Sequence, residues 1–142
     1  MSQDTAKIAT QFIQAIPHAG RLGMNVEDIT EGRATISMPY NTELIGDPTT
    51  GVIHGGAVSA LMDTAGGAAV MAHPAAGVGT ATLDLRIDYM RPATPGQTIT
   101  AIADCYHVTR TVAFVRATAY DDDRDRPVAT ATGAFTVMKA RT

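Results

Sequence analysis

A stretch of small and apolar residues that carries a single charge constrains this chain more than any other feature. Between Pro48 and Leu83 the only formally charged residue is Asp63. Residues 55–73 have the length and composition of one long helix, and Pro74 follows at its end. A helix that is apolar or small on every side is normally buried on every side.

Projected at about 100° per residue, this predicted helix has two different faces. The apolar face should pack on a sheet and comprises Val58, Leu61, Met62, Ala65, Ala69 and Ala72. The second face is small and nearly uncharged and comprises Gly56, Ser59, Ala60, Asp63, Gly67 and Val70. One domain of 142 residues has little left to cover the second face. The pattern therefore predicts that another subunit covers it, in a homo-oligomer that is most simply two-fold symmetric.

The rest of the chain predicts an N-terminal helix within residues 1–17, ended by Pro17, and six strands. The strands are expected near residues 24–29, 33–38, 80–90, 98–107, 111–120 and 128–138, the first two as a hairpin that turns at Glu31-Gly32. Residues 41–51 are expected to form a long polar loop, and residues 121–127 a solvated hairpin loop. One long helix with a run of strands is typical of an α+β domain, here a single one spanning residues 1–142.

The strand after the long helix alternates in character. Its apolar face comprises Leu83, Leu85, Ile87 and Tyr89, and its polar face comprises Thr82, Asp84, Arg86 and Asp88. Such alternation is typical of a strand that is buried on one face only.

Composition excludes several classes of protein. The formal net charge of −3 disfavours a nucleic-acid partner. The single Cys105 can form neither an internal disulfide nor a thiolate zinc cage, and the four histidines lack metal-type spacing. No targeting or membrane segment is visible. We therefore expect a soluble, cytoplasmic protein with no metal, cofactor, nucleic acid or membrane partner.

Asp63 is the first candidate for chemistry. An unpaired buried carboxylate is costly, so this side chain must be hydrogen-bonded, protonated or used in a reaction. The alternative is a structural aspartate bonded to Thr64, Ser59 or the backbone of a partner.

The triplet His54-Gly55-Gly56 lies at the N-terminus of the predicted helix. Backbone N–H groups and the positive end of the helix dipole favour negative charge there, and glycine lets a ligand approach the backbone. A simple turn is the alternative interpretation. Taken with Asp63, the triplet pairs an oxyanion-type donor with a carboxylate base or nucleophile about two turns away.

The segment Gly51-Val52-Ile53-His54-Gly55-Gly56, with Asp63 nine residues after His54, resembles the hot-dog fold acyl-CoA thioesterases of the phenylacetate-degradation (PaaI-like) type. The sequence LDLRIDYMRP at residues 83–92 resembles the strand that follows the central helix of that family. The resemblance covers about residues 24–138. It implies a long central helix wrapped by a curved antiparallel sheet, and dimers that pair into tetramers.

The resemblance also implies a role for each matching residue. Asp63 would activate water or attack the thioester carbonyl, and the Gly55 N–H would polarise that carbonyl. His54 would help to shape the thioester site, and Thr82 would take the position of a water-orienting hydroxyl. An ordinary β-branched strand residue is the alternative for Thr82. Where the family often has an asparagine, this chain has Pro48.

An acyl-CoA substrate carries phosphates, which predicts basic residues near the mouth of the site. Arg86 and Arg91 are candidates, with Gly56 as a further substrate-binding residue; ordinary surface charges are the alternative for both arginines. Two other functions remain open, an acyl-thioester dehydratase or hydratase and a non-catalytic acyl-CoA-binding module. Dehydratase relatives carry a proline-containing segment after the histidine, and residues 55–63 contain no proline.

Overall fold

A computed structural model describes residues 3–140, with side chains from Lys7 onward. The helices are α1 (Gln3–Gln14), α2 (Pro17–Arg21) and α3 (Gly55–Met71). The strands are β1 (Asn25–Thr30), β2 (Arg33–Met38), β3 (Ile45–Asp47), β4 (Val52–Ile53), β5 (Thr82–Tyr89), β6 (Ile99–Val108), β7 (Val112–Tyr120) and β8 (Ala129–Thr136).

Six strands form one curved antiparallel sheet in the order β1-β2-β6-β7-β8-β5. The 17-residue helix α3 packs across the inner face of this sheet, mainly against β2, β6 and β7. The predicted α+β architecture is therefore confirmed. Gly32, at φ +67°, makes the predicted turn of the first hairpin.

Small side chains let α3 lie close to the sheet. The inner face of β6, β7 and β8 is dominated by buried alanines: Ala101, Ala103, Ala113, Ala117, Ala119, Ala129 and Ala131. The predicted apolar face of α3 is buried against them, as expected. Gly66 marks the closest approach, because a Cβ built there would lie 2.7 Å from Cζ of the buried Phe135.

The second face of α3 is buried toward its C-terminal end and open toward its N-terminal end. Toward the C-terminal end, Gly67, Val70 and Met71 are buried, and Phe12 of α1 lies against this region. The expectation that another subunit covers this face is therefore wrong for its C-terminal half, which α1 covers. Toward the N-terminal end, Gly56 is exposed, and Ser59, Ala60 and Asp63 are partly exposed.

The N-terminal region differs from the prediction at Pro17. Helix α1 ends at Gln14, and Pro17 begins the short helix α2 instead of ending the first one. Proline is well suited to the first turn of a helix, because its missing N–H would have no intrahelical partner there. Residues 1 and 2 of the predicted helix lie outside the described residues.

A bulge at the start of β5 alters the predicted alternation. Thr82 pairs with Phe135, and Asp84 pairs with the adjacent Ala134, so Leu83 is an extra residue in β5. Because of this extra residue, Thr82 lies on the same face as Leu85, toward α3. The prediction that Thr82 belongs to the outer, polar face is wrong for this reason.

Two predicted loops also contain more structure than expected. Residues 41–51 hold a 3-10 turn (Thr42–Leu44), and β3 and β4 pair as a two-stranded ladder. In the loop at residues 121–127, Asp121 is not solvated: its side chain is fully buried in an ion pair with Arg91. None of the helices between residues 3 and 140 combines the length and apolar content needed to cross a membrane.

Candidate functional site

Asp63 and Thr82 form the centre of the candidate site. The Thr82 hydroxyl donates a hydrogen bond of 2.6 Å to Asp63 Oδ1. The β5 bulge allows this contact, because in a regular strand of the same sequence the Thr82 hydroxyl would point away from α3. Among the residues whose side chains are described, from Lys7 onward, none donates a hydrogen bond to Asp63 Oδ2, and the Asp63 side chain lines the groove.

The N-terminus of α3 is shaped by the side chain of His54. Its Nδ1 accepts a hydrogen bond of 2.7 Å from the Gly56 N–H and so caps the helix. The nitrogen that accepts carries no proton. Within the described part of the chain, no acceptor reaches the Gly55 N–H. Of the two glycines, Gly55 therefore keeps a free donor, whereas the donor of Gly56 is already used.

Tyr89 is a residue of this region that the sequence analysis did not select. Its hydroxyl, at the end of β5, donates a hydrogen bond of 3.0 Å to the carbonyl of Gly55. This bond ties the edge strand to the first turn of α3. The available sequence signal was modest: the alternation of β5 places Tyr89 on the face toward the helix.

Two grooves meet at Asp63. One has a volume of about 270 Å³ and runs beneath α1, between Phe12, Gly67 and Phe135. The other has a volume of about 330 Å³ and runs past Ser59 to Gly56 near the N-terminus of α3. The residues that border both grooves are Ala60, Asp63 and Thr82.

Gly55 and Asp63 lie far apart along the same helix. Their separation of eight residues corresponds to roughly 12 Å of helix axis, at 1.5 Å per residue. A hydrogen bond to an oxyanion spans about 3 Å, and the lean of the Asp63 side chain toward the N-terminus shortens the gap only in part. One thioester carbonyl therefore does not reach both groups of one chain.

The two candidate arginines differ in their availability. Arg86 is exposed on the outer face of β5 and pairs with Asp88 at 3.0 Å. Arg91 lines a further groove next to Gly55, but its terminal nitrogens bind Asp121 at 2.6 and 2.7 Å. The paired N–H donors of this guanidinium are already used by Asp121 and cannot bind a phosphate in the same way. The geometry therefore favours a structural role for Arg91.

The side chains that could hold a metal ion or act as a thiol nucleophile are those of His, Cys, Asp and Glu residues. Among the side chains described, from Lys7 to Ala140, no cluster of three or more His, Cys, Asp or Glu residues is arranged to hold a metal ion. Cys105 is buried on the inner face of β6, as expected for a small core residue, and burial raises the pKa of its thiol to about 11.

The curated proteins similar to this chain include one named as an esterase and one named as an acyl-CoA thioesterase. A Halobacterium salinarum protein named as an esterase is 35% identical over 96 residues, which cover 65% of this chain and 63% of that protein. The chain thus spans less than two thirds of this relative. YigI of Escherichia coli K12, named a medium/long-chain acyl-CoA thioesterase, is 23% identical over 92% of this chain and 91% of its own.

Solved structures share the fold over nearly the whole chain. A Pseudomonas aeruginosa protein is 42% identical, with a TM-score of 0.84, over 94% of this chain and 99% of that one. The Escherichia coli PaaI protein of the phenylacetic acid degradation operon is 22% identical, with a TM-score of 0.86, over 96% of both chains. The thioesterase superfamily model matches residues 50–128, more than half of the chain. This chain therefore belongs to the thioesterase superfamily and has its hot-dog fold.

Proposed function

We propose that this protein hydrolyses acyl-CoA thioesters, with Asp63 as the catalytic carboxylate and the Gly55 N–H as the oxyanion donor. The observation that carries the proposal is the Asp63 carboxylate, which lines a groove and is held by the Thr82 hydroxyl through one of its two oxygens. A carboxylate fixed in this way is suited to act on water or on a carbonyl carbon.

The proposed reaction needs no metal and no serine–histidine pair. A thioester carbonyl is electrophilic, and its thiolate is a good leaving group. Asp63 either takes a proton from a water molecule that attacks the carbonyl carbon, or attacks that carbon itself. The backbone donor stabilises the oxyanion, the carbon–sulfur bond breaks, and the coenzyme A thiolate leaves. Water supplies the oxygen of the free acid, and a proton returns to the thiolate.

The helix geometry supports a site shared between two copies of the chain. Because roughly 12 Å of helix axis separates Gly55 from Asp63, a second copy must bring its own Gly55 to this carboxylate. The free edge of β5 and the small, partly exposed residues Ser59 and Ala60 offer a surface for such a copy. Each dimer would then hold two sites, each with one acid and one donor from different chains.

The acyl-CoA substrate is the finer part of the proposal. Its support is the name of YigI, which covers 92% of this chain at 23% identity, and a solved Streptococcus mutans structure of the same fold with acetyl CoA bound. Arg86 is the remaining candidate of the two arginines for contact with the coenzyme A phosphates, because its side chain is exposed.

The first test is a spectrophotometric assay of free thiol across short, aromatic and long acyl-CoAs. Asp63→Asn should lower kcat by about 10²–10⁴-fold, the usual contribution of a general base, while the protein stays folded and oligomeric. Thr82→Ala should lower kcat less. Full activity of Asp63→Asn would reject the mechanism, whereas binding of acyl-CoA without release of thiol by the natural chain would identify a binding module.

The Gly55 N–H can be removed by a proline substitution that changes little else in the helix. Gly55 is the first residue of α3 after its cap, a position that proline tolerates, and His54 already has the extended backbone that precedes proline. Gly55→Pro should lower kcat by about 10²–10³-fold. Gly55→Ala is the matched control, since it adds the same Cβ beside Tyr89, 3.4 Å away, and keeps the N–H.

Mixing two inactive variants tests the shared site directly. Asp63→Asn and Gly55→Pro chains, unfolded and refolded together, form mixed dimers in which one site has both intact groups. Activity should return in the mixture and not in either variant alone. If each chain used its own two groups, no mixed dimer would contain a complete site, and activity would stay absent.

A further inference from the structure

The groove beneath α1 is built differently from the rest of the site. Its walls are mostly apolar, with Phe12 and Ile16 on the N-terminal segment, Phe135 on β8 and the backbone of Gly67 on α3. Its polar lining comprises His18, Asp63, Thr64, Thr80 and Thr82. Among residues 7–140, no Arg or Lys lines it, and the single histidine is accompanied by the Asp63 carboxylate. A nucleotide with phosphates would need cations, so this groove suits an uncharged, apolar part of a ligand.

The position of the groove beneath α1 indicates which part of the ligand it binds. The groove begins at Asp63 and Thr82, where the proposed reaction takes place, and leads away beneath α1. From this geometry we infer that the groove beneath α1 binds the acyl group, and that Phe12 and Gly67 determine the largest acyl group the enzyme accepts. This inference rests on the proposed function.

The volume of the groove sets the expected substrate class. An engineered apolar cavity of about 150 Å³ holds a benzene ring, and this groove measures about 270 Å³. It therefore has room for a ring with a short substituent or for a medium-length chain. Acetyl groups would leave most of it unfilled and gain little apolar burial.

Gly67 offers a substitution that changes the groove without disturbing the fold. A Cβ at this position would lie 3.5 Å from Phe12 Cε1 and 3.8 Å from Thr80 Cγ2, which are ordinary contacts. Alanine also has a higher helix propensity than glycine. Gly67→Ala should therefore fold at least as well as the natural chain while it narrows the groove by one methyl group.

The experiment measures kcat/KM of the oligomer with acetyl-, butyryl- and octanoyl-CoA. For Gly67→Ala, the octanoyl-to-acetyl ratio should fall by about tenfold, the usual effect of one methylene in an apolar pocket. For Phe12→Leu, which trims the groove wall, the same ratio should rise. Ile8→Ala is the matched control on α1, because Ile8 is 51% exposed and lies outside the groove; it should leave the ratio unchanged.

Other outcomes would overturn the inference. An unchanged ratio in both variants would mean that the acyl group binds elsewhere, and an equal loss with all three substrates would mean that the groove holds the part common to them. If the natural chain released no thiol at all, the proposed function would fail separately. Calorimetric titration with the thioethers S-ethyl-CoA and S-octyl-CoA would then decide: weaker binding of S-octyl-CoA alone by Gly67→Ala supports the inference, and equal binding overturns it.

Discussion

The buried ion pair between Arg91 and Asp121 joins the segment after β5 to the end of β7, and Asp121→Asn should disrupt it. The Asp121 side chain is fully buried, and that of Arg91 is 16% exposed. The carboxylate accepts five hydrogen bonds: two from Arg91, two from Thr94 and one from the Asp123 N–H. The Arg91 guanidinium, with the Thr94 and Asp123 donors, holds the pKa of Asp121 well below its usual range.

The expected loss of stability in Asp121→Asn follows from the hydrogen bonds that the carboxylate accepts. Asparagine replaces one acceptor oxygen by an NH₂ group. Oδ1 faces two of the donors and Oδ2 faces three, so even the better amide orientation leaves two donors unpaired. One unpaired buried donor costs about 1–3 kcal/mol, and removing one partner of a buried ion pair costs about 3–5 kcal/mol. We expect the free energy of unfolding to fall by about 3–5 kcal/mol.

The assay is urea unfolding followed by circular dichroism, at one fixed protein concentration because the proposed dimer would make stability depend on concentration. Asp122→Asn, the same change on an exposed neighbour, should have no measurable effect. Since the folded pKa of Asp121 lies below its unfolded value, its contribution is complete above about pH 4 and is lost as the pH falls. A loss under about 1 kcal/mol at neutral pH, or a difference that widens in acid, would refute this reasoning.

Three further predictions concern close packing. Gly133→Ala places a Cβ 2.8 Å from the Asp84 carbonyl, so it should displace the β5 bulge and lower kcat; wild-type kinetics would contradict this. Gly66→Ala places a Cβ 2.7 Å from Phe135 Cζ and should cost about 1–3 kcal/mol, seen as a lower Tm; an unchanged Tm would mean that the ring moves freely. Burial raises the pKa of Cys105 to about 11, so a disulfide reagent should label this thiol only after unfolding, and rapid labelling of the native protein would show the strand to be open.

Most of the fold could be predicted because its elements are long and regular. The strands β5 to β8 alternate over eight or more positions, which gives a periodic signal. Helix α3 has no such period and was identified from its length and its apolar composition on every side. The ladder of β3 and β4 has only three and two residues, too few for a period. Pro17 was misassigned because proline both ends and begins helices.

The site was predictable where a residue stood out along the chain. Asp63 is the lone charge in a long uncharged segment, and His54 and Gly55 mark a helix start next to it. The face of Thr82 was not predictable, since a one-residue bulge leaves no trace in an alternating pattern. Pairs that are distant in sequence, such as Arg91 with Asp121, require coordinates.

The bulge in β5 decides whether a hydroxyl faces Asp63, because Thr82 and Leu85 are three positions apart and share a face only across this irregularity. Deleting Leu83 would restore strict alternation and leave Thr82 opposite Phe135 on the inner face, whereas straightening the bulge with every residue kept would turn the Thr82 hydroxyl outward. Such a chain would keep its composition, its helix and its aspartate. A shift of the bulge by one register position is therefore enough to take the hydroxyl partner away from the aspartate in a chain of unchanged sequence.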